Sequence, residues 1–209
     1  MRVVEIATYV IASAIALGGG FVGADMLFGE SESAVTTPAS ARTAIPPADE
    51  PAGTEVRNAR FSFRFRHPEN WGAGPRNHPS IVESIAGSGG AFCYVTVQEH
   101  EIPSDGSGKP RNLARLMDGM TAGQLANAAF PGVATKVQSF GSAMLGGQDA
   151  REFVIDATVP LAGTLRMEGW ATLRNFGALV LLCVAPADQH ARDDIRAAFR
   201  LIHTSFRFD

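Results

Sequence analysis

Three carboxylates in the second half of the chain, Glu152, Asp156 and Glu168, are the side chains best suited to acid–base chemistry. Such catalysis needs one group that gives a proton and one that accepts it, both within hydrogen-bond reach of a substrate. Because all three lie in strand-like segments, where carboxylates commonly face solvent, we predict no catalytic residue. The sequence also lacks motifs for a nucleophile elbow, a phosphate-binding loop or a zinc protease. We therefore predict that the protein is not an enzyme.

A second candidate for chemistry is the stretch QEHE, which ends in Glu99, His100 and Glu101. Carboxylate and imidazole side chains bind Ca²⁺ or Zn²⁺. Adjacent strand residues point to opposite faces, so only Glu99 and Glu101 could chelate an ion together. A solvated strand end is the simpler interpretation, and we predict no metal ion and no cofactor.

A third candidate is the polar and aromatic corner that contains His67, Glu69, Trp71 and His78. These four residues are the predicted ligand-binding set. If the corner is exposed, they form a binding patch. The alternative is that Trp71 covers the core and His67 hydrogen-bonds a turn.

The two cysteines, Cys93 and Cys183, lie inside apolar strand-like segments, AFCYVTV and LVLLCVA. Neither has a neighbour that would lower its pKa, so neither is predicted to be a nucleophile. Outside the cytoplasm an even pair favours a disulfide. Two small buried thiols are the alternative.

The composition is that of an ordinary globular protein, with 45% hydrophobic and 19% charged residues and a net charge of −3. Binding to nucleic acid depends on neutralising phosphates, so this charge gives no general attraction to it. The stretch FSFRFR, residues 61–66, alternates aromatic and polar residues, which is typical of a strand with one buried face. We predict a core strand here, and no nucleic-acid partner.

The first 28 residues differ in kind from the rest. Arg2 and Glu5 precede an uncharged run over residues 6–24, close to the roughly 20 residues that a spanning helix needs. Segment 1–28 is either a transmembrane anchor or a signal peptide cleaved before Asp25. Both place the remaining chain outside the cytoplasm, because the positive flank stays inside. An anchor predicts a single-pass inner-membrane protein with a periplasmic C-terminal domain, and cleavage predicts a soluble periplasmic protein.

Residues 29–59 are predicted to be a disordered linker. Four prolines lie among Ser, Thr, Ala and Glu, and no strand or helix period is visible. Regular patterns begin at Arg60, so the predicted domain spans residues 60–209. Its first strand ends at Pro68, which lacks the amide proton of a ladder.

The rest of the domain alternates strand and helix signals. Residues 80–87 and 91–101 flank turn residues and predict a hairpin. A helix follows, with Asn112 as N-cap and an apolar face of Leu113, Leu116, Met117 and Met120. A meander then turns at Gly146–Gly147 and ends in a continuous apolar strand from Ala178, which predicts a central strand.

A second helix closes the domain, with Asp188 as the predicted N-cap. Its predicted inner face comprises Ala191, Ile195, Ala198, Phe199 and Ile202. The fold class is therefore α+β, a three-layer α/β/α sandwich with a central, mostly antiparallel sheet. An N-terminal apolar helix and a disordered linker are predicted to precede it.

These residues resemble a known family. FSFRFRHPENW is similar to the opening strand and P-x-x-W corner of the PsbP-like superfamily, and LGGQDAREFVID and the terminal TSFRF are similar to its second half. The resemblance covers about residues 60–209. It implies an α/β/α sandwich, no shared catalytic machinery, and a role in binding proteins or lipids. It carries over no catalytic residue.

These observations predict a membrane-tethered, non-enzymatic binding or accessory module of the bacterial cell envelope, which acts through protein–protein contacts. The expected partners are an envelope protein and, through residues 1–28, the membrane. One alternative is a carrier that holds a lipid or other apolar ligand between helix and sheet. A second alternative is a small metal-dependent hydrolase.

Overall fold

The computed structural model describes residues 52–76, 79–103, 110, 113–119, 121–123, 134–159 and 163–209. Within these ranges the principal elements, in chain order, are β1 (Thr54–Asn58), β2 (Phe63–His67), β3 (Gly72–Ala73), β4 (Ile81–Ala86), β5 (Phe92–Glu99), α1 (Leu113–Asp118), β6 (Ala134–Leu145), β7 (Gln148–Val159), β8 (Gly163–Arg174), β9 (Gly177–Pro186), α2 (Asp193–Ser205) and β10 (Arg207–Phe208).

Seven strands form one antiparallel sheet in the order β3-β4-β5-β9-β8-β7-β6. The predicted β4–β5 hairpin and the meander from β6 to β9 are confirmed. Gly146 and Gly147 form the β6–β7 turn at φ 57° and 80°, a conformation that glycine adopts without strain. β9 is buried from Gly177 to Ala185, because β5 and β8 flank it and other layers cover both of its faces.

Each face of this sheet carries its own core. On one face, Leu113 and Met117 of α1 are buried in a cluster with Phe153, Ile155 and Met167. On the other face, α2 and a second sheet share a cluster whose members include Ile195, Phe199, Ile202, Trp71 and Leu181. The described residues thus form three layers, and the predicted α+β sandwich is confirmed.

The second sheet has three antiparallel strands in the order β1-β2-β10. Phe61, Phe63 and Phe65 are buried, as the alternation predicted. The rings of Phe63 and Phe65 stack on Phe206 at centroid distances of 5.3 and 6.0 Å. The opening aromatic stretch is therefore core and not a ligand-binding motif.

The folded domain begins earlier than the sequence predicted. β1 lies within residues 29–59, which were assigned to a disordered linker. Its only aliphatic side chain larger than a methyl group is Val56, so it carries almost no periodic signal. Its order comes from pairing with β2, where Val56 lies opposite Phe65. Residues 1–51, including the predicted apolar helix, lie outside the described residues.

The second helix begins later than predicted. Asp188 is not its N-cap, because the amides of Gln189 and His190 both donate to the carbonyl of Pro186 at 2.9 Å and form a turn instead. The helix begins at Asp193, and Ala191, predicted to face inward, is exposed. Asp193 and Asp194 then occupy its first turn, where acidic side chains suit the helix dipole.

No helix within the described ranges is long and apolar enough to cross a membrane.

Candidate functional site

The predicted binding corner is built differently from an exposed patch. Trp71 is buried and its ring packs edge-on against Phe199 at 6.2 Å. His67 is also buried, and its Nδ1 donates to the carbonyl of Pro68 at 2.8 Å. Glu69 is exposed, and His78 lies outside the described residues. Trp71 and His67 therefore belong to the core, and the ligand-binding role of the corner stays a prediction.

The QEHE stretch ends β5 in solvent. Glu99 pairs with Arg60 at 2.7 Å, and Glu101 is exposed. The backbone amide of His100 donates to the carbonyl of Phe176 at 2.8 Å. Within the ranges given above, no three His, Cys, Asp or Glu side chains come together in a way that could hold a metal ion.

Cys93 and Cys183 face each other across β5 and β9, and their Sγ atoms are bonded at 2.09 Å. Both residues are buried in the core beneath α2. The structure thus contains the disulfide, one of the two alternatives that the sequence left open. It joins the two strands at the centre of the sheet.

Charged, polar and aromatic side chains lie together instead on one face of β8. Trp170 lies in the core beneath α2, whereas Met167, Ala171 and Leu173 lie in the core beneath α1. Since strand residues alternate between faces, every second residue shares the face of Trp170. We call this set the β8 row: Arg166, Glu168, Trp170, Thr172 and Arg174.

The row begins with a paired arginine. Arg166 lies opposite Asp156 on β7 and donates to both of its carboxylate oxygens, at 2.6 and 2.7 Å. Gln138 donates a third hydrogen bond to Asp156 at 2.6 Å. The bond from Arg166 is the main reason that the pKa of Asp156 lies below its usual value, and it raises the pKa of Arg166 in turn.

Glu168 comes next and meets His190, which lies in the turn before α2. The Nε2 atom of His190 is 2.7 Å from Oε1 of Glu168, but without the alignment of a hydrogen bond. His190 is buried and packs against Phe199 at 5.9 Å. This contact connects the row to the helix layer.

Trp170 and His203 form the centre of the row. Their rings lie nearly parallel, 9° apart, with centroids separated by 4.1 Å. Nε2 of His203 donates to the carbonyl of Met144 at 3.0 Å, so the histidine also connects α2 to β6. Such stacking fixes the plane of the indole.

The far end of the row is a buried cation. Thr172 donates to the carbonyl of Asp149 at 2.7 Å. The guanidinium of Arg174 lies 4.6 Å from the ring centre of Phe208, a cation–π contact, and the residue is 9% exposed. Burial lowers the pKa of Arg174. No carboxylate among the described residues pairs with it.

Several polar atoms in and beside the row have no hydrogen-bond partner within the described part of the chain. They are Nε1 of Trp170, Nε of Arg174, Nε2 of His190 and Oε1 of Gln148. Buried polar atoms in native proteins are nearly always satisfied. Two of these four atoms are N–H donors on the same face of β8, which suits an acceptor group such as a carbonyl or carboxylate.

The structure places the three carboxylates of the sequence analysis on this one face. Asp156 and Glu168 are half-buried and paired, whereas Glu152, opposite Trp170, is exposed. Sequence reasoning missed Trp170, Arg174, His190 and His203. The segment LRMEGWATLR does alternate polar or aromatic residues with apolar ones, which was the available signal for the row. The two histidines come from α2 and its preceding turn, so no local pattern connects them to β8.

No protein-family model and no curated protein sequence matches the chain. Solved structures do. The solution structure of cyanobacterial PsbP (CyanoP) from Synechocystis sp. matches with a TM-score of 0.52 and 13% identity, over 83% of this chain and 100% of that one. The domain has the PsbP-like fold. The predicted resemblance is therefore confirmed at the level of the fold.

Other solved structures match the domain with lower TM-scores. LpqN of Mycobacterium tuberculosis, described as involved in cell envelope biogenesis, has a TM-score of 0.49 and 14% identity over 76% of this chain and 86% of that one. A protein from Bacteroides thetaiotaomicron has a TM-score of 0.48 and 9% identity, over 75% and 48%.

Proposed function

We propose that the protein is a membrane-tethered, non-enzymatic binding module of the bacterial cell envelope, and that the β8 row contacts its protein partner. The uncharged run near the amino terminus supports the tether. The PsbP-like fold supports an accessory role, as the resemblance implied. In this proposal the domain lies in the periplasm and the anchor remains attached.

The observation that carries the proposal is the pair of buried donors, Nε1 of Trp170 and Nε of Arg174. A buried donor without an acceptor costs about 1–3 kcal/mol. His203 covers Trp170 and Phe208 covers Arg174, so a partner's carbonyl or carboxylate could accept from either donor only where these rings move aside. Two such acceptors, one at each donor, would recover that cost. The free protein would thus be less stable at the row than it would be with a partner bound.

The pairing of the carboxylates favours binding over catalysis. Asp156 is held by Arg166, and Glu168 lies against His190. A general acid or base must exchange a proton with substrate, and a carboxylate held by a guanidinium is a weak base. We therefore propose that these residues shape the surface around Trp170 and do not act on a substrate.

Replacing Trp170 with phenylalanine separates the donor from the ring. Phenylalanine retains part of the stacking surface for His203 and removes the unpaired Nε1–H, but it leaves some of the volume of the indole empty. These two effects oppose each other, so the stability of the free protein should change little. Binding to the partner should weaken at least about tenfold, since one hydrogen bond is lost. Unchanged binding of the partner by the Trp170→Phe protein would contradict the proposed role of the β8 row.

The partner itself can be captured with a photo-crosslinking amino acid. We expect a discrete adduct in intact cells from position 152, which lies opposite Trp170, and none from exposed Asn70 at the first corner. Equal adducts from both positions would contradict a specific surface.

Amino-terminal sequencing of the membrane-bound protein tests the tether, because a mature start at Asp25 would mean that the anchor is removed.

A further inference from the structure

The outer face of the three-stranded sheet carries a row of like charges. Arg57 of β1 lies directly opposite Arg64 of β2, and Arg64 lies opposite Arg207 of β10. The opposite face of the same sheet holds the buried Phe63 and Phe65, so the three arginines point away from the core. Arginine thus occupies one cross-strand line over the full width of the sheet.

Among the described residues, two carboxylates lie beside this line of arginines. Asp209 lies 3.6 Å from Arg57 and 3.3 Å from Arg64. Glu55 lies 4.0 Å from Arg64 and 3.9 Å from Arg66. We call five of these residues the arginine face: Arg57, Arg64, Arg207, Glu55 and Asp209. Among them, three guanidinium groups outnumber two carboxylates, on a chain whose net charge is −3.

Like charges directly opposite each other destabilise a sheet. Arg57 remains well exposed, with 57% of its side-chain surface accessible, and Arg64 with 35%. Nη1 of Arg207 donates to the carbonyls of Thr204 and Phe206 at 2.8 and 2.6 Å, which holds its guanidinium beside the end of α2. The guanidinium groups of the arginine face are therefore held in place and remain accessible. Their mutual repulsion destabilises the sheet, and a bound anion would reduce that repulsion.

The path of the chain indicates where this face lies. β1, the first strand of the domain, belongs to the sheet that bears the arginine face. The predicted anchor ends near residue 28, and the linker predicted from there to Thr54 would have a root-mean-square reach of roughly 25–30 Å as a random coil. The tether therefore enters the domain at this sheet, which keeps the arginine face within reach of the membrane.

We propose that the arginine face docks the domain onto the phosphate headgroups of an anionic phospholipid surface. Arginine presents paired N–H donors that match phosphate geometry, and its charge attracts an anionic bilayer. Each arginine near such a surface is expected to change the docked population about fivefold. This inference rests on the proposed tether, and it deepens that proposal by fixing which side of the domain faces the bilayer.

The test uses the full chain reconstituted into nanodiscs of phosphatidylcholine, with or without phosphatidylglycerol. A dye on Ala52→Cys, beside the arginine face, reports energy transfer to an acceptor on lipid headgroups, and a dye on Asp118→Cys of α1 serves as a distant reference. Anionic lipid should raise transfer from position 52 more than from position 118, and high salt should reverse the gain.

The triple variant Arg57→Gln, Arg64→Gln, Arg207→Gln should lose most of this gain. A matched variant removes equal charge elsewhere, at Arg76, Arg115 and Lys136, and should retain it. Thermal unfolding of both variants checks that each is folded. Equal transfer in neutral and anionic discs, or equal loss in both variants, would overturn the docking surface. If the chain does not stay with the discs, the tether itself fails, which is a separate result.

Discussion

Cys93 and Cys183 lie directly opposite each other on β5 and β9, with their Cα atoms 4.1 Å apart and their Sγ atoms bonded. The two strands are neighbours in the sheet but are separated by 90 positions in the sequence. The cross-link therefore joins the β4–β5 hairpin to the β6–β9 meander. It is compatible with the oxidising compartment in which we propose that the domain lies.

Removing this cross-link should be costly. With a sequence separation of 90, the chain-entropy model gives a loss of about 4.6 kcal/mol for the Cys93→Ala, Cys183→Ala protein. Urea unfolding measures the loss. Thiol counting on the denatured, unreduced wild-type protein should find no free cysteine, and two free thiols per chain would contradict the bridge.

The amino-terminal boundary of the domain should lie before β1. A fragment that begins at Ala52 is expected to unfold in one sharp transition. A fragment that begins at Arg60 lacks β1 and exposes the edge of β2, so it should be less stable by at least about 2 kcal/mol through lost burial of Val56 and lost strand pairing. Equal stability of the two fragments would show that β1 contributes nothing to the fold.

Gly177 should tolerate no side chain. Its φ is 131°, and a Cβ atom there would collide with the backbone carbonyl of Gln98. We expect Gly177→Ala to cost more than about 3 kcal/mol, measured by urea unfolding. Gly147→Ala is the control, because its φ is 80° but nothing lies within 4 Å of the added carbon, and it should cost only about 1 kcal/mol.

The Asp156–Arg166 pair should make stability depend on pH in the acid range. The folded pKa of Asp156 is lowered from 3.8, so its contribution is present above that value and is lost as pH falls through the folded pKa. We expect Asp156→Asn to be about 1 kcal/mol less stable at pH 7, discounted for partial exposure, and this difference to shrink as the pH falls below 3.8. A constant difference across this range would contradict the assignment.

Local sequence patterns were sufficient to predict those elements that a short run of neighbouring residues specifies. The alternation of β2, the unbroken apolar run of β9 and the paired glycines at 146 and 147 each specify a structure without reference to distant residues. The strands β1 and β10 carry no such signal, since they are short and become ordered only by pairing with β2. Tertiary pairing, and not propensity, decides them.

The candidate site was harder to predict than the fold. Trp71 and Trp170 are both buried, yet only Trp71 belongs to a recognisable sequence motif, the P-x-x-W corner. The importance of Trp170 depends on His203, which reaches it from α2. Contacts of this kind depend on how a helix lies across a sheet, and the spacing of residues along one strand does not contain that information.

The pairing of β5 with β9 also sets the order in which the sheet can be assembled. β6 to β9 follow one another in the chain and can pair as they emerge, whereas β5 must wait until β9 has been made. Until then, FCYVTVQE has one open edge and a high preference for strand pairing, which makes it prone to aggregate. If the domain is exported, as we propose, a holding chaperone that covers this segment would reduce its aggregation.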